Sequence, residues 1–201
     1  MRQKADQANT HPKPASRQEL RARRNDLPAH LRAAHDEAIR QHILQLVKSR
    51  QAQSIACYWP FNGEPDIVPL CRQLMSEGHQ LALPIVSGLD DHAMKFYPWR
   101  QNEALTPNRY GIFEPPQSTP IPLTSFDMLI MPLVGYDRQG NRMGMGSGYY
   151  DRHLEPLRNL RDPLRVGVAY SLQEVGLLDN NKWDIPLHGV VNERGWFTFV
   201  E

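Results

Sequence analysis

The chain has 201 residues, two cysteines and a formal net charge of +1. This length is enough for one domain with a sizeable core, and the near-neutral charge argues against a chain committed as a whole to nucleic acid. Two cysteines are too few for a disulfide framework or a cysteine metal site. No apolar run reaches membrane-spanning length or resembles a signal peptide, so we expect a cytoplasmic protein.

The N-terminal half predicts a polar tail followed by helices and strands. Residues 1–15 are polar and contain two prolines, which predicts a mobile tail. Ser16 with Glu19 three residues later has the spacing of a capping box, and it predicts a helix that ends near Asn25. The elements predicted next are an amphipathic helix from Pro28 to about Lys48, a strand at 54–59, a helix at 66–77 and strands at 80–85 and 93–99.

The C-terminal half contains the strongest strand of the chain. The predicted strand at 127–134 is apolar without interruption from Met128 onward, which is typical of a central parallel strand buried on both faces. The elements predicted after it are a helix at 149–160, a strand at 165–170 and paired strands at 190–191 and 196–199. This alternation predicts an α/β fold over residues 16–201: a single-domain three-layer sandwich with a mostly parallel central sheet flanked by helices. It is Rossmann-like and similar to isomerase and CoA-transferase folds.

A glycine-rich segment separates the central strand from the next helix. Gly144, Gly146 and Gly148 allow positive φ angles and let backbone N–H groups approach a ligand closely. Arg142 precedes them with a cation suited to phosphate, and Asp151 follows with a carboxylate suited to magnesium. The segment predicts a nucleotide site, although a tight connection explains such glycines equally well. No Gly-Lys-Ser/Thr follows, so it is not a Walker loop.

Several other polar residues could bind a ligand, but each of them also has a purely structural explanation. Arg17, Arg21 and Arg24 form a basic helix face that is most often only solvated. Glu64 fits the cap of the helix near residue 66, and Asp184 fits a turn.

A set of motifs makes the interpretation more specific. Residues 126–154 contain Asp127-Met-Leu-Ile-Met-Pro132, Gly135-Tyr136-Asp137, Gly140-Asn141-Arg142 and Gly144-x-Gly-x-Gly-Tyr-Tyr-Asp-Arg152. This run resembles the 5-formyltetrahydrofolate cyclo-ligase family. The resemblance extends in order over about residues 16–199, through Arg17–Arg21, Glu64-Pro65-Asp66, Tyr110–Pro115, Gln173 and Asp184.

The resemblance implies ATP- and magnesium-dependent closure of 5-formyltetrahydrofolate to 5,10-methenyltetrahydrofolate. The residues that it assigns to ATP are Arg17, Arg21, Arg142, Met143, Gly144, Met145, Gly146, Ser147, Gly148, Tyr149 and Tyr150. Those that it assigns to the folate are Trp59, Glu64, Gly146, Ser147, Gly148 and Tyr150, with Pro84, Met94 and Phe96 as weaker candidates. Asp151 and Asp184 would hold Mg²⁺, and Arg142, Tyr150 and Asp151 would act in catalysis. The implied partner is the folate, with or without a polyglutamate tail; we expect a monomer with no membrane or specific nucleic-acid partner.

Departures from the family pattern leave other functions open. Ser147 stands where the family usually has Gly or Lys, so a cation at that position is absent. One alternative is an isomerase or acyl-CoA transferase on a similar scaffold, which would not need ATP. Another is a folate- or nucleotide-binding regulator without catalysis. A third is salt-sensitive RNA binding through the basic residues of the first 24 positions.

Overall fold

The computed structural model describes residues 16–86, 94–179 and 181–199, so the predicted tail at 1–15 lies outside the described residues. The helices are α1 (Arg17–Asn25), α2 (Ala29–Arg50), α3 (Val68–Ser76) and α4 (Tyr149–Leu154). Short 3-10 turns occupy Leu123–Ser125, Glu155–Leu157 and Ser171–Gln173. The strands are β1 (Ser54–Ala56), β2 (Gln80–Val86), β3 (Met94–Trp99), β4 (Thr106–Pro107), β5 (Phe113–Glu114), β6 (Met128–Pro132), β7 (Gly135–Tyr136), β8 (Arg142–Met143), β9 (Leu164–Val168), β10 (Gly189–Asn192) and β11 (Gly195–Thr198).

The central sheet of the described residues has seven strands in the order β11-β10-β9-β6-β1-β2-β3. The inner pairs β10–β9, β9–β6, β6–β1 and β1–β2 are parallel, whereas β3 and β11 pair antiparallel at the two edges. The prediction of an α/β fold with a mostly parallel sheet is therefore confirmed, and so is the hairpin of β10 and β11.

Strand β6 shows why both faces of this sheet are covered. Successive side chains of a strand point to opposite faces. Met128 and Ile130 pack on the face covered by α2 and α3, and Leu129 and Met131 pack on the face covered by α4. Each of these four side chains is at most 2% exposed, which explains the uninterrupted apolar run and gives the three layers predicted.

Several predicted boundaries were wrong. The first strand ends at Ala56 and not at 59, because the chain leaves the sheet after Cys57 donates to the carbonyl of Ala82. Helix α4 ends at Leu154 and not at 160, because Pro156 has no N–H with which to continue the helix. The segment 105–122 contains the β4–β5 pair, although no strand is predicted there. No helix of the described residues has the length and apolarity needed to cross a membrane.

The glycine segment does not follow the central strand directly, as the sequence had suggested. A small hairpin of β7 and β8 lies between them, closed by a turn that Asp137 organises. The Asp137 carboxylate is fully buried and accepts from the backbone N–H groups of Gln139 and Asn141 at 2.9 and 3.0 Å. Gly140 takes φ +86° within that turn. Strand β8 then carries Arg142 and leads directly into the glycine segment.

Candidate active site

The glycine segment, residues 144–148, forms an open loop in front of α4. Gly146 and Gly148 have φ angles of +110° and +64°, which other residues adopt only with strain. No atom lies within 4 Å of the position that a Gly146 Cβ would occupy. Residues 145–147 are exposed, so the loop backbone is accessible to a ligand. Because α4 has only six residues, the loop and its cations would have to bind phosphate, with little help from a helix dipole.

Helix α1 docks against this region and brings a cation to the loop. Its start is fixed by the capping box, in which Ser16 Oγ accepts from Glu19 N at 3.2 Å and Glu19 accepts from Ser16 N at 2.7 Å. Its buried Leu20 lies so close to Gly135 that a Cβ on that glycine would approach Leu20 Cδ1 to 2.7 Å. In this position Arg17 Nε donates to the carbonyl of Gly144 at 3.1 Å.

Two further arginines of α1, Arg21 and Arg24, point to the segment 61–64. With its amide oxygen turned toward Arg21, Asn62 accepts from Arg21 Nε at 3.2 Å. Arg24 is fully buried and donates to the carbonyls of Leu133 at 3.1 Å and Asn62 at 2.7 Å. The interpretation of this helix face as merely solvated was therefore wrong. Sequence analysis missed the role of Arg24, although its spacing of four from Leu20 places it on the buried side of the helix.

Glu64 is a buried carboxyl group beside this arginine. Its side chain is 7% exposed and lies 4.0 Å from Arg24 Nη1, and its Oε2 accepts from Phe61 N at 3.1 Å. Burial raises the pKa of Glu64 to about 7, and the Arg24 charge opposes part of that rise. Glu64 does not cap α3, since Val68 N donates to Asp66 Oδ1 at 3.0 Å.

The raised pKa of Glu64 predicts a pH-dependent stability. The folded state binds this proton more tightly than the unfolded chain, so the contribution is complete below pH 4.5 and is lost as the pH rises through about 7. The loss amounts to about 3 kcal/mol. Glu64→Gln, which resembles the neutral form, is expected to remove this dependence. Urea unfolding of both proteins at pH 5 and pH 8 measures it, and an equal pH response in the two proteins would refute the assignment.

Arg142 and Asp151, at opposite ends of the loop, form an ion pair. Arg142 Nη2 lies 2.6 Å from Asp151 Oδ1, with side chains that are 6% and 19% exposed. Asp151 Oδ1 also accepts from Ile185 N at 3.2 Å. The Arg142 guanidinium lies 5.9 Å from the centre of the Tyr150 ring. Burial, and then the charge of Glu64, raise the pKa of Tyr150, whereas Arg142 lowers it, so the phenol near these two groups is neutral.

Asp184 lies next to the residue that Asp151 contacts. Its carboxylate accepts from Asn181 N at 2.8 Å and closes a turn, which agrees with the prediction that Asp184 fits a turn. Oxygen ligands from one or two carboxylates, completed by phosphate and water, are what Mg²⁺ usually takes. The oxygen donors of Asp151 and Asp184 fit such an ion. A preformed group of three or more acidic, histidine or cysteine ligands is absent from the part of the chain that the structure describes, and the metal role stays a prediction.

Arg152 is a second cation at the loop that sequence analysis did not assign. Its Nη2 donates to the carbonyl of Ser147, and a Cβ on Gly148 would meet its Nη1 at 3.0 Å. Its guanidinium lies 5.9 Å from the centre of the Tyr149 ring. The arginine thus places a positive charge beside Ser147, which has none. The available signal was the absence of a cation at Ser147 together with an arginine five residues later, inside α4.

Trp59 lies on the side of the site toward β2 and β3. Its ring is 5.0 Å from Phe113 and 5.8 Å from Trp99, centre to centre, and it lines a cavity of about 440 Å³. The weaker folate candidates Met94 and Phe96 belong to the core, 3% and 2% exposed.

Gln173, which follows β9, stabilises the fold. It is buried, and its amide donates to the carbonyls of Leu133 and Val134 at 2.9 and 3.0 Å while accepting from Tyr170 N. These bonds hold the end of β6 in place beneath Arg24.

Known proteins share both the sequence and the fold of this chain. A sequence profile of the 5-formyltetrahydrofolate cyclo-ligase family matches residues 9–193. The chain is 34% identical to a 5-formyltetrahydrofolate cyclo-ligase of Haemophilus influenzae over 91% of its own length and 98% of the relative's. It is also 37% identical to a 5-formyltetrahydrofolate cyclo-ligase of Escherichia coli, over 70% of its own length and 78% of the relative's.

A solved structure agrees with these relatives. The NMR structure of Aquifex aeolicus 5,10-methenyltetrahydrofolate synthetase superposes with a TM-score of 0.79 at 29% identity, covering 92% of this chain and 91% of that one. The motifs, the sheet order and these matches agree, and the chain belongs to the 5-formyltetrahydrofolate cyclo-ligase family.

Proposed function

We propose that this protein converts 5-formyltetrahydrofolate to 5,10-methenyltetrahydrofolate with ATP and Mg²⁺, releasing ADP and phosphate. The observation that carries the proposal is the position of α1. One face of this helix contacts the glycine loop through Arg17 and the Glu64 segment through Arg24. These contacts support a single site for the residues expected to hold ATP and those expected to hold the folate.

The reaction requires activation of a poor leaving group. The formyl oxygen attacks the γ-phosphorus, and the bond from that phosphorus to ADP breaks. N10 then attacks the formyl carbon, the carbon–oxygen bond breaks to release phosphate, and N10 loses its proton. Phosphoryl transfer depends mainly on positioning and on neutralising negative charge.

The cations around the loop supply that neutralisation. Arg17 and Arg152 already contact the carbonyls of Gly144 and Ser147 at the two ends of the loop, and Arg21 lies on the same helix face. Arg142, held by Asp151, would face the transferring phosphoryl group beside Tyr150. Mg²⁺ held by Asp151 and Asp184 would neutralise further phosphate charge.

The part of the site proposed for the folate is more apolar than the arginine-rich loop, and it contains one acid, Glu64. Glu64, when ionised, would accept hydrogen bonds from pterin N–H groups, and Trp59 would contact the substrate rings. The neutral Tyr150 phenol would lie near the formyl group. Since Glu64 must lose its proton for this role, turnover at low folate is expected to rise with pH through about 7.

ATP contact by α1 predicts a selective defect. Arg17→Gln removes a charge at the loop, and the KM for ATP is expected to rise about tenfold because a charge-assisted phosphate contact is lost. The KM for the folate is expected to stay within about twofold. Arg23→Gln is the matched control, since Arg23 is exposed on the same helix. Steady-state kinetics with each substrate varied would contradict the role if both variants behaved alike.

Product stoichiometry tests the whole reaction. We expect one ADP and one phosphate for each methenyl product, with no turnover in excess EDTA. An isomerase or transferase on this scaffold would act without ATP consumption, so product formed without ADP would reject the proposal in favour of that class.

A further inference from the structure

The end of α1 and the segment 61–64 are joined by Arg32, a side chain of α2. One of its terminal nitrogens, Nη1, donates to the carbonyl of Gly63 at 2.9 Å. The other, Nη2, donates to the carbonyl of Arg24 at 2.6 Å. Because a guanidinium is planar and holds its donors in a rigid fork, these two bonds fix the position of one segment relative to the other. Arg32 is therefore a bridge between α1 and the segment that contains Glu64.

The two segments also touch each other directly. Gly63 takes φ +79°, and a Cβ at this position would collide with Asn25 Oδ1 and lie 3.5 Å from Arg32 Nη1. Only a residue without a side chain permits so close an approach in this conformation. Asn25 is the last residue of α1, so a displacement of the helix end also displaces the segment.

The Arg32 guanidinium is oriented by a buried tyrosine. Its central carbon lies 5.6 Å from the centre of the Tyr170 ring, and its Nη1 donates to the Tyr170 hydroxyl at 3.4 Å. That hydroxyl donates to the Asp36 carboxylate at 2.6 Å, and the side chains of Tyr170 and Asp36 are both buried. Asp36 follows Arg32 by one turn of α2. This chain of contacts holds the guanidinium in the position that both carbonyls require.

We infer that Arg32 is a positioning residue that couples the binding of ATP to the binding of the folate. The inference rests on the proposed function, which assigns ATP to Arg17 at the start of α1 and the folate to Glu64. A ligand that orders α1 also orders the segment 61–64 through Arg32, so the second ligand binds to a site that is already ordered. By linkage, each ligand tightens the binding of the other by the same factor.

Equilibrium binding tests the coupling without turnover. The probes are a β,γ-imido analogue of ATP with Mg²⁺, and 5-formyltetrahydrofolate. Calorimetry measures the Kd of the analogue with and without saturating folate. In the wild-type protein the folate is expected to lower this Kd about tenfold. In Arg32→Met, whose side chain cannot donate to either carbonyl, the folate is expected to lower it less than about twofold.

Two further variants separate positioning from a general loss of stability. Arg40→Met is the matched control, because Arg40 lies on the same helix and donates to a carbonyl outside α1, that of Asp66, at 2.9 Å. Its coupling is expected to stay within about twofold of wild type. Arg32→Lys keeps the charge but has one terminal nitrogen instead of two, and its coupling is expected to fall to about threefold. Circular dichroism identifies the variants that fold, and Arg32→Lys carries the test if Arg32→Met does not.

The outcomes distinguish this inference from the proposed function. Coupling of wild-type size in a folded Arg32 variant, or an equal loss in Arg40→Met, would overturn the role of Arg32 even if ATP-dependent turnover were intact. Binding of both ligands to the wild-type protein without coupling would overturn it as well. Loss of coupling in the Arg32 variants alone would support it. The same loss in a protein that binds both ligands but forms no product would support the positioning role and count against the proposed reaction.

Discussion

Asp151→Asn is expected to lower ATP-dependent turnover by about 100-fold or more, because it removes charge at the centre of the proposed phosphoryl-transfer site. The wild-type carboxylate pairs with Arg142 at 2.6 Å and accepts from Ile185 N at 3.2 Å. Asparagine retains one oxygen that can accept from Ile185 N, so the backbone position is expected to survive. It cannot neutralise Arg142 or supply a charged magnesium ligand. Steady-state turnover over a range of Mg²⁺ concentrations measures both losses.

Glu155→Gln provides the matched control for Asp151→Asn. Glu155 is an exposed acid one helical turn after Asp151, and its loss is expected to leave turnover and the magnesium requirement within about twofold of wild type. Circular dichroism and thermal unfolding check that both variants retain the fold. Near-normal turnover of folded Asp151→Asn with an unchanged magnesium requirement would contradict the assigned role.

Arg24→Met is expected to destabilise the protein by about 3 kcal/mol at pH 8, because it leaves the Glu64 carboxylate buried without its cation. Arg24 is fully buried, and its bond to Asn62 O at 2.7 Å is also lost. The carbonyl of Leu133 keeps Gln173 as a donor. The Arg24 charge holds the Glu64 pKa down, so its removal is expected to raise that pKa further and shift the pH–activity profile upward. Urea unfolding and kcat/KM for the folate, each measured from pH 5 to pH 9, test both effects.

A double-mutant cycle isolates the Arg24–Glu64 interaction. Because Glu64→Gln has no charge to bury, the loss caused by Arg24→Met is expected to be smaller in that background and smaller at pH 5 than at pH 8. Arg23→Met, at an exposed neighbouring position, controls for a general effect on α1. If the loss were the same at both pH values and in both backgrounds, Arg24 would stabilise the fold without acting on Glu64.

The sequence was a good guide wherever a local rule and the tertiary structure agree. Ser16 and Glu19 are close in sequence, and both bonds of their capping box form. The apolar run around β6 predicted a central strand because covering both faces of a sheet leaves no place for polar residues. The spacing of the loop's glycines and carboxylate predicts a nucleotide site, although a tight connection explains such glycines equally well, and the phosphate role stays a prediction.

The contacts between segments that are distant in sequence were not predicted, because no local sequence pattern indicates them. Arg24 is buried only because the Asn62 carbonyl, the Leu133 carbonyl and Glu64 surround it, and those segments are distant in sequence. The β7–β8 hairpin depends on the buried Asp137, whose Oδ2 also accepts from Leu178 N at 3.0 Å. In the sequence Arg152 is not distinguishable from any other helix arginine, and its contact with the loop carbonyl of Ser147 is visible only in the structure.

The most direct test of the central claim is the absorbance of the methenyl product, with purified protein, 5-formyltetrahydrofolate and Mg²⁺, in the presence and absence of ATP. The proposed function predicts a product signal that requires ATP and is nearly abolished in Asp151→Asn. Product without ATP, or no product from a folded protein that binds both ATP and the folate, would contradict it. In the second case the loop would remain a binding site, and the protein would be a regulator or act on another substrate.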